Sequence, residues 1–140
     1  MLTKFYTLQN GWEFKAIDVT ENIRLTDVNI LGNGISSLDI SKNANLRFLN
    51  ISVNRFDKLA LRNILNNLPK RNLEDKAKVY IYFRMTGEHN DNLNFIPNEA
   101  SNIQALNSAL AKNWAVKMSY DQGGSYLVWT SNEKFEKSID

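Results

Sequence analysis

Cysteine is absent from the chain, and histidine occurs once among its 140 residues. The absence of cysteine excludes disulfides, thiolate metal sites and cysteine nucleophiles. It fits a reducing cytosol, and it equally fits an exported protein that folds on its core alone. Only two prolines occur, and no serine stands in a G-x-S-x-G context, so the sequence shows no nucleophile elbow.

Excess charge of one sign and long apolar runs are also missing. Seventeen basic and fifteen acidic residues are interspersed, for a net charge of +2. This even balance predicts neither nucleic-acid binding nor attraction to a membrane surface. No segment is long enough to cross a bilayer, and the first residues, MLTKFYTLQNGWEF, do not form a signal peptide. We expect an extracellular or cell-envelope location if an upstream signal peptide has been removed, and otherwise the compartment stays open.

Asparagine is the residue in excess, with 20 copies. Its side chain hydrogen-bonds the local backbone and tolerates left-handed conformations, so many tight turns are expected. A chain of this length suits one domain with a core of its own.

A shift of 21 residues superimposes much of residues 25–45, LTDVNILGNGISSLDISKNAN, on residues 46–66, LRFLNISVNRFDKLALRNILN. The matched pairs are Leu25/Leu46, Val28/Leu49, Ile30/Ile51, Asn33/Asn54, Ile35/Phe56, Leu38/Leu59 and Ile40/Leu61, and, one shift upstream, Phe14/Ile35, Ile17/Leu38, Asp18/Asp39, Val19/Ile40 and Asn22/Asn43. The alternating part of each unit predicts a short strand with its apolar residues turned inward. One such coil cannot cover its own apolar face, so the coils must stack.

The pattern L-x-x-L-x-I-x-x-N-x-I-x-x-L-D-I-x-x-N resembles the short, 21-residue leucine-rich repeats of bacterial surface and secreted proteins, and LDISKNANLRFLNIS is close to that family's usual phrase. The resemblance covers about residues 14–61. The later segments LRNILNNLPKR, KVYIYF and IQALNSALAKNWAV resemble the family's closing helix, last parallel strand and terminal cap. The resemblance implies an α/β fold: a short right-handed solenoid with parallel strands, capped by a C-terminal helix and a β-hairpin. Arg84 stands where the next repeated asparagine is expected, so we expect the asparagine ladder to stop there.

The chain is interpreted as a single leucine-rich-repeat domain, residues 1–140. Residues 1–13 form an N-terminal cap, with a strand near Phe5–Leu8 and Trp12 in the place that Asn33 and Asn54 take later. Residues 14–83 hold the repeats and the last parallel strand, residues 84–130 form the C-terminal cap, and the charged tail, residues 131–140, is expected to fray.

Two helices and a hairpin are predicted after the repeats. Leu61, Ile64, Leu65 and Leu68 share one helical face, and Pro69 ends that helix. KVYIYF, residues 78–83, is a strand by its aromatic and β-branched content. A second helix buries Ile103, Leu106 and Leu110 and ends near Asn113. Its start is a capping box of Ser101 with Gln104, or a cap by Asn98. WAVKM and SYLVWT then form the β-hairpin.

Outward side chains of the strands define a candidate binding face. The candidates are Asp27, Asn29, Phe48, Asn50, Ser52, Tyr80 and Tyr82, with Leu31 and Lys78 beside them. Aromatic rings offer apolar area at a low entropic cost, and amides donate and accept hydrogen bonds. The alternative is that strands favour Tyr and Phe for β-propensity alone, and that asparagine is simply common on this surface.

Four repeated polar residues are expected to have structural roles. Asn33 and Asn54 follow the strands and can bond the backbone of the turn and of the next coil. Asp18 and Asp39 precede the turns VTEN and ISKN and are expected to hold them.

The stretch GEHND places Glu88, His89 and Asp91 together, which could hold a metal or carry out acid–base chemistry. The lone histidine lies in a polar loop, residues 84–95, and no second ligand cluster supports it, so a solvated loop is preferred. No metal and no cofactor are expected.

The chain is predicted to be a non-catalytic module that binds a protein partner through the concave, strand-lined face. The alternative is a glycan-binding module of an exported bacterial surface protein. A monomer or a weak dimer is expected.

Overall fold

In the part of the chain that the structure describes, seven strands lie side by side in the order in which they occur in the sequence. The computed structural model of the protein describes residues 2–7, 14–83, 92, 99–119 and 126–138. Within these ranges the elements are β1 Lys4–Tyr6, β2 Asp27–Asn29, β3 Phe48–Asn50, α1 Lys58–Asn67, a 3-10 helix Leu73–Asp75, β4 Lys78–Phe83, α2 Ala100–Ala111, β5 Ala115–Ser119, β6 Tyr126–Trp129 and β7 Phe135–Lys137. Strands β1 to β5 pair in parallel, whereas β6 and β7 continue the sheet antiparallel. The chain is therefore an α/β structure with a mostly parallel sheet.

The 21-residue repeat reappears as the register of β2 against β3. Val28 lies opposite Leu49, and the Ile30 backbone N–H donates to the Asn50 carbonyl at 2.9 Å. Ile30 and Ile51 are both fully buried. The same inward row continues through Val79 and Val116, although longer connections precede those strands. Residues one repeat apart in sequence are thus neighbours across the sheet.

The core lies between one face of the sheet and the segments that cover it, which are the two helices and the irregular connections that carry Val19, Ile35, Ile40 and Phe56. Asp57 caps α1, because its side chain accepts the Ala60 N–H at 2.8 Å. The predicted face of α1, with Leu61, Ile64 and Leu65, is buried, and the helix ends before Pro69. Leu59 departs from the repeat. It aligns with Leu38, which packs on the core, but it is 56% exposed because the helix has already begun at Lys58.

Helix α2 confirms Leu106 as fully buried, and Ile103 and Leu110 pack against the same core. The predicted capping box of Ser101 and Gln104 is wrong, since the helix begins at Ala100 with Glu99 in the cap position. The Glu99 carboxylate instead pairs with Lys58 at 3.2 Å and ties the starts of the two helices together. Asn98, the rival cap, lies outside the described residues.

The chain ends differ from their predicted forms. The tail expected to fray from Ser131 contains β7, which pairs with β6. The reason is packing, because the Phe135 ring meets the Trp129 ring edge-on at 5.1 Å. At the other end, β1 lies at Lys4–Tyr6 and pairs with β2, within one or two residues of its predicted place. Trp12 and the rest of residues 8–13 lie outside the described residues.

Candidate functional site at the strand-lined face

The face of the sheet opposite the core carries a continuous set of half-buried side chains. On β2, β3 and β4 the buried residues alternate with residues that point away from the core. We call this surface the outer face. Its members on β2 to β6 are Asp27, Asn29, Phe48, Asn50, Lys78, Tyr80, Lys117 and Tyr126. Five of the seven predicted binding residues are therefore brought together on one surface.

Three rings form an aromatic row across the outer face. The Phe48 and Tyr80 ring centroids lie 5.9 Å apart with planes tilted by 53°. The Tyr80 and Tyr126 centroids lie 5.5 Å apart in an edge-to-face arrangement at 71°. Aromatic pairs in these geometries attract one another beyond simple area burial. The aromatic row is consequently a preformed apolar strip, with rings from β3, β4 and β6, that crosses four neighbouring strands.

Two lysines border the aromatic row. The Lys78 ammonium lies 6.0 Å from the centre of the Phe48 ring. The Lys117 ammonium lies 5.9 Å from the centre of Tyr80 and 5.8 Å from that of Tyr126. Ammonium groups at this distance are attracted to the ring faces. The row therefore combines apolar area with positive charge.

The β2 side of the outer face carries a carboxylate, that of Asp27. The Asp27 carboxylate accepts the Thr26 hydroxyl at 2.7 Å and lies 3.7 Å from the Arg47 guanidinium. The Tyr6 hydroxyl of β1 reaches it at 3.5 Å. The outer face thus runs from a carboxylate on β2 to ammonium groups on β4 and β5.

Asn29 and Asn50 occupy equivalent places between these two ends. Each side-chain oxygen accepts the backbone N–H two residues on, that of Leu31 or of Ser52, at 3.1 Å. These bonds orient the amides, and their Nδ2 groups make no hydrogen bond within the part of the chain that the structure describes. Two oriented amide donors therefore lie on the outer face.

Ser52 and Tyr82 are corrections to the predicted binding set. Ser52 is only 1% exposed, because strand β3 ends at Asn50 and the alternation of side chains stops there. Its carbonyl accepts the Asn54 side chain at 3.1 Å. Tyr82 follows a register shift between β4 and β5, lies opposite Met118 and packs against the core. Neither residue belongs to the aromatic row.

Tyr126 and Lys117 are members of the outer face that sequence reasoning missed. Both lie in the C-terminal hairpin, where Lys117 pairs with Val128 and Ser119 with Tyr126. Lys117 directly follows the buried Val116, so strand alternation could have placed it outward. To predict that Tyr126 lies on the outer face, one needs the register of the β5–β6 hairpin, which could not be derived from the sequence.

Burial governs the chemistry of Tyr80. Its partly buried position, and to a smaller extent the neighbouring Tyr126, raise the pKa of the Tyr80 phenol above its ordinary value. A tyrosine hydroxyl with the ordinary pKa of 10.0 is already protonated at neutral pH, so that of Tyr80 is a hydrogen-bond donor as well as an acceptor.

The repeated asparagines hold successive turns together. Asn54, fully buried, donates from Nδ2 to the carbonyls of Ile30 and Ile51 at 2.9 and 3.0 Å. It accepts the Ile35 N–H at 3.2 Å. Asn33 donates to the Ile30 carbonyl at 3.0 Å and to the Thr7 hydroxyl at 2.7 Å. These bonds satisfy backbone groups that would otherwise be buried without partners.

The asparagine ladder does not stop at Arg84. Asn92, 1% exposed, donates to the carbonyls of Ile51 and Ile81 at 3.0 and 2.6 Å. Its own backbone N–H reaches the Asn54 carbonyl at 3.2 Å. The expectation based on Arg84 was wrong because the ladder residue is supplied from further along the chain.

A second pair of polar residues holds the turns on the opposite side of each repeat. The Asp18 carboxylate accepts the hydroxyl and the backbone N–H of Thr20 at 2.7 and 2.9 Å. Asp39 accepts the Ser41 N–H at 2.9 Å. Hydrogen bonds from the side chains of Thr20 and Ser41, and then from their backbone N–H groups, hold the pKa values of the two carboxyls below their ordinary value. Both aspartates lie away from the outer face, in exposed turns.

No group of three His, Cys, Asp or Glu residues in the described ranges could hold a metal ion. Glu88, His89 and Asp91 lie outside those ranges. Of the described helices, neither is long and apolar enough to cross a membrane. No family model, no curated protein and no solved structure matches the chain.

Proposed function

We propose that the chain is a short right-handed leucine-rich-repeat solenoid that binds a protein partner through the outer face and carries out no catalysis. The repeat assignment is supported by the 21-residue register of β2 against β3 and by the asparagine ladder. The register and the ladder bonds of Asn33 and Asn54 agree with the repeated sequence pattern, and neither feature requires a ligand.

The aromatic row is the observation that carries the binding proposal. Three rings, on β3, β4 and β6, each lie against the next and remain partly exposed. Tyr and other aromatic residues are enriched where proteins bury surface on binding, because they add much area at a low entropic cost. A carboxylate at one side and two ammonium groups at the other add electrostatic selectivity.

A protein is preferred over a glycan because of the ring orientations. Sugar rings stack on flat aromatic surfaces, whereas neighbouring ring planes in the aromatic row are tilted by 53° and 71° to each other. Tilted rings form a ridged strip suited to interlocking side chains. Glycan binding stays the second candidate, since the oriented amides of Asn29 and Asn50 suit sugar hydroxyls. A glycan array distinguishes the two: strong hits that disappear in Tyr80→Ala would favour the glycan.

The test begins with capture of a partner at the outer face. A photo-crosslinking amino acid at Tyr80 is compared with the same amino acid at Leu59, an exposed position on α1. A protein captured at Tyr80 and not at Leu59 is then purified and its affinity measured. We expect Tyr80→Ala and Tyr126→Ala each to weaken binding by about tenfold or more, with Leu59→Ala as the matched control. Unchanged affinity in both tyrosine variants, with the fold intact, would reject the outer face as the binding site.

A further inference from the structure

A cavity of about 540 Å³ opens next to the outer face. It lies where the amino ends of β4 and β5 meet the 3-10 helix, the end of α2 and the last two strands. Its volume falls within the range of sites that hold small organic molecules. All of its lining residues are described.

The floor of the cavity is apolar. Trp114 and Trp129 line it, and both indole N–H groups are already satisfied. The Trp114 Nε1–H donates to the Pro69 carbonyl at 2.7 Å, and the Trp129 Nε1–H donates to Asn107 Oδ1 at 2.9 Å. Both rings are only 1% exposed, so they close the base of the cavity and offer almost no surface to a ligand. The accessible apolar surface comes from the partly exposed Leu110 and Val128 and from Leu73, which is 78% exposed.

The rim of the cavity is cationic. Lys76, Lys78 and Lys117 all line it, and no Asp or Glu does. None of the three ammonium groups forms an ion pair within the described part of the chain. Lys76 is held at the rim by a left-handed backbone, φ 48°, with its N–H bonded to the Leu73 carbonyl at 3.1 Å. Elsewhere in the described chain, Lys58 and Lys134 do pair with carboxylates.

We propose that this cavity binds a small amphipathic anion, a molecule with an apolar body and one anionic head group. The body would lie against Leu73, Leu110 and Val128, above the buried tryptophans, which removes apolar surface from water. The head group would meet the three lysines, whose positive charge no carboxylate of the lining neutralises. A neutral molecule of the same shape leaves those charges unused and binds more weakly. The proposal does not rest on the proposed protein-binding function, although Lys78 and Lys117 belong to both surfaces.

The test is a fluorescence titration of the full chain with 1-anilinonaphthalene-8-sulfonate at neutral pH. We expect saturable binding of one molecule per chain, displaced by 2-naphthoate and displaced at least fivefold less well by the uncharged 2-naphthalenemethanol. Equal displacement by the acid and the alcohol would overturn the anionic part of the proposal. An absence of saturable binding up to millimolar probe would overturn the site itself.

Two charge-matched double variants locate the site. Lys76→Gln with Lys117→Gln should weaken probe binding by about fivefold to tenfold, as expected for partly exposed charges. Lys15→Gln with Lys42→Gln removes the same total charge at exposed residues outside the cavity and should change the affinity less than twofold. Equal losses in the two double variants would show nonspecific attraction and reject the cavity.

A third variant tests the apolar part without disturbing the fold. Leu73→Glu changes a residue that is 78% exposed, so folding should be unaffected, as thermal unfolding can verify. The change removes apolar rim and brings a carboxylate next to the lysines. We expect at least a fivefold loss of probe affinity, and an unchanged affinity would contradict the assigned cavity.

Discussion

At the scale of single residues, the turn after each repeat strand demands a left-handed backbone. Gly32 adopts φ 78°, and Val53, its equivalent one repeat later, adopts φ 56°. Glycine adopts this conformation freely, whereas a side chain with a Cβ pays about 1–2 kcal/mol. Val53 is held there by bonds on both sides, from the Ser52 N–H to Asn50 Oδ1 and from the Asn54 amide to the Ser52 carbonyl. The hydrogen bonds of Asn50 and Asn54 therefore fix the geometry of this turn, and Val53 adopts the left-handed conformation that the turn requires.

Asn92 should contribute to stability as a ladder residue. Asn92→Ala removes the side-chain donor from the Ile81 carbonyl and leaves the Ile51 carbonyl with Asn54 as its amide donor. We expect a loss of about 1–3 kcal/mol in the free energy of unfolding, measured by urea denaturation. Asn45→Ala is the control, because that side chain is exposed and donates to the Ile23 carbonyl at only 3.5 Å. A loss below about 0.5 kcal/mol for Asn92→Ala would mean that the ladder ends at Asn54 in solution.

The ladder shows what sequence can predict at this scale. Asn33 and Asn54 could be predicted because each recurs at the same point of the repeat. Asn92 could not, since the period breaks at Arg84 and only the three-dimensional path brings a later residue back to the same place. The predictions that Ser52 and Tyr82 lie on the binding face failed for a related reason. Strand alternation was extrapolated past the end of β3 and past the register shift of β4.

At the scale of elements, strands and helices followed the sequence wherever one local pattern was sufficient. KVYIYF forms β4 over all six residues, and α1 buries its predicted face. The predictions that failed concern features that depend on tertiary contacts. Helix α2 starts at an ion pair between Glu99 and Lys58, and β7 forms because Phe135 covers Trp129. Local propensity does not depend on contacts between separate elements, so it could not predict either the Glu99–Lys58 or the Phe135–Trp129 contact.

The two aspartate turns predict a specific pH dependence. Hydrogen bonds from Thr20 and Ser41 lower the pKa values of Asp18 and Asp39 in the folded state. Carboxyls with a lowered folded pKa stabilise the fold above their ordinary pKa of 3.8. That stability is lost as the pH falls through the lowered values. Part of the acid destabilisation of the protein below about pH 4 should therefore come from these turns.

Asp18→Asn with Asp39→Asn tests this dependence, because asparagine keeps the acceptor oxygen and removes the titration. We expect the double variant to lose less stability than the parent between about pH 4 and pH 2, measured by urea denaturation at each pH. Glu21→Gln with Glu74→Gln, which changes two exposed carboxylates, is the control. Parallel curves for the parent and the aspartate variant would contradict the role of the turns.

At the scale of the whole molecule, the two faces of the sheet have different roles. Its inner face and the two helices share one buried cluster, which extends from Val19 to Trp129. Its outer face carries the aromatic row, and the proposed anion cavity opens beside it. Lys78 and Lys117 line both surfaces, so occupancy of the cavity would change the charge presented by the row. The candidate site thus depends on residues from repeats and hairpin alike.

A continuous core also predicts that repeats and hairpin unfold together. Leu49→Ala, in the repeat region, should reduce the free energy of unfolding by about 2–5 kcal/mol, because it opens a cavity at a fully buried position. In a Trp12→Phe background the remaining tryptophans are Trp114 and Trp129, both in the C-terminal part. The destabilisation should therefore be equal by tryptophan fluorescence and by far-ultraviolet circular dichroism. Leu59→Ala, at an exposed repeat position, should shift neither curve by more than about 0.5 kcal/mol. Separated transitions in the Leu49 variant would show that the hairpin end folds as an independent unit and that stacking is cooperative only among the repeats.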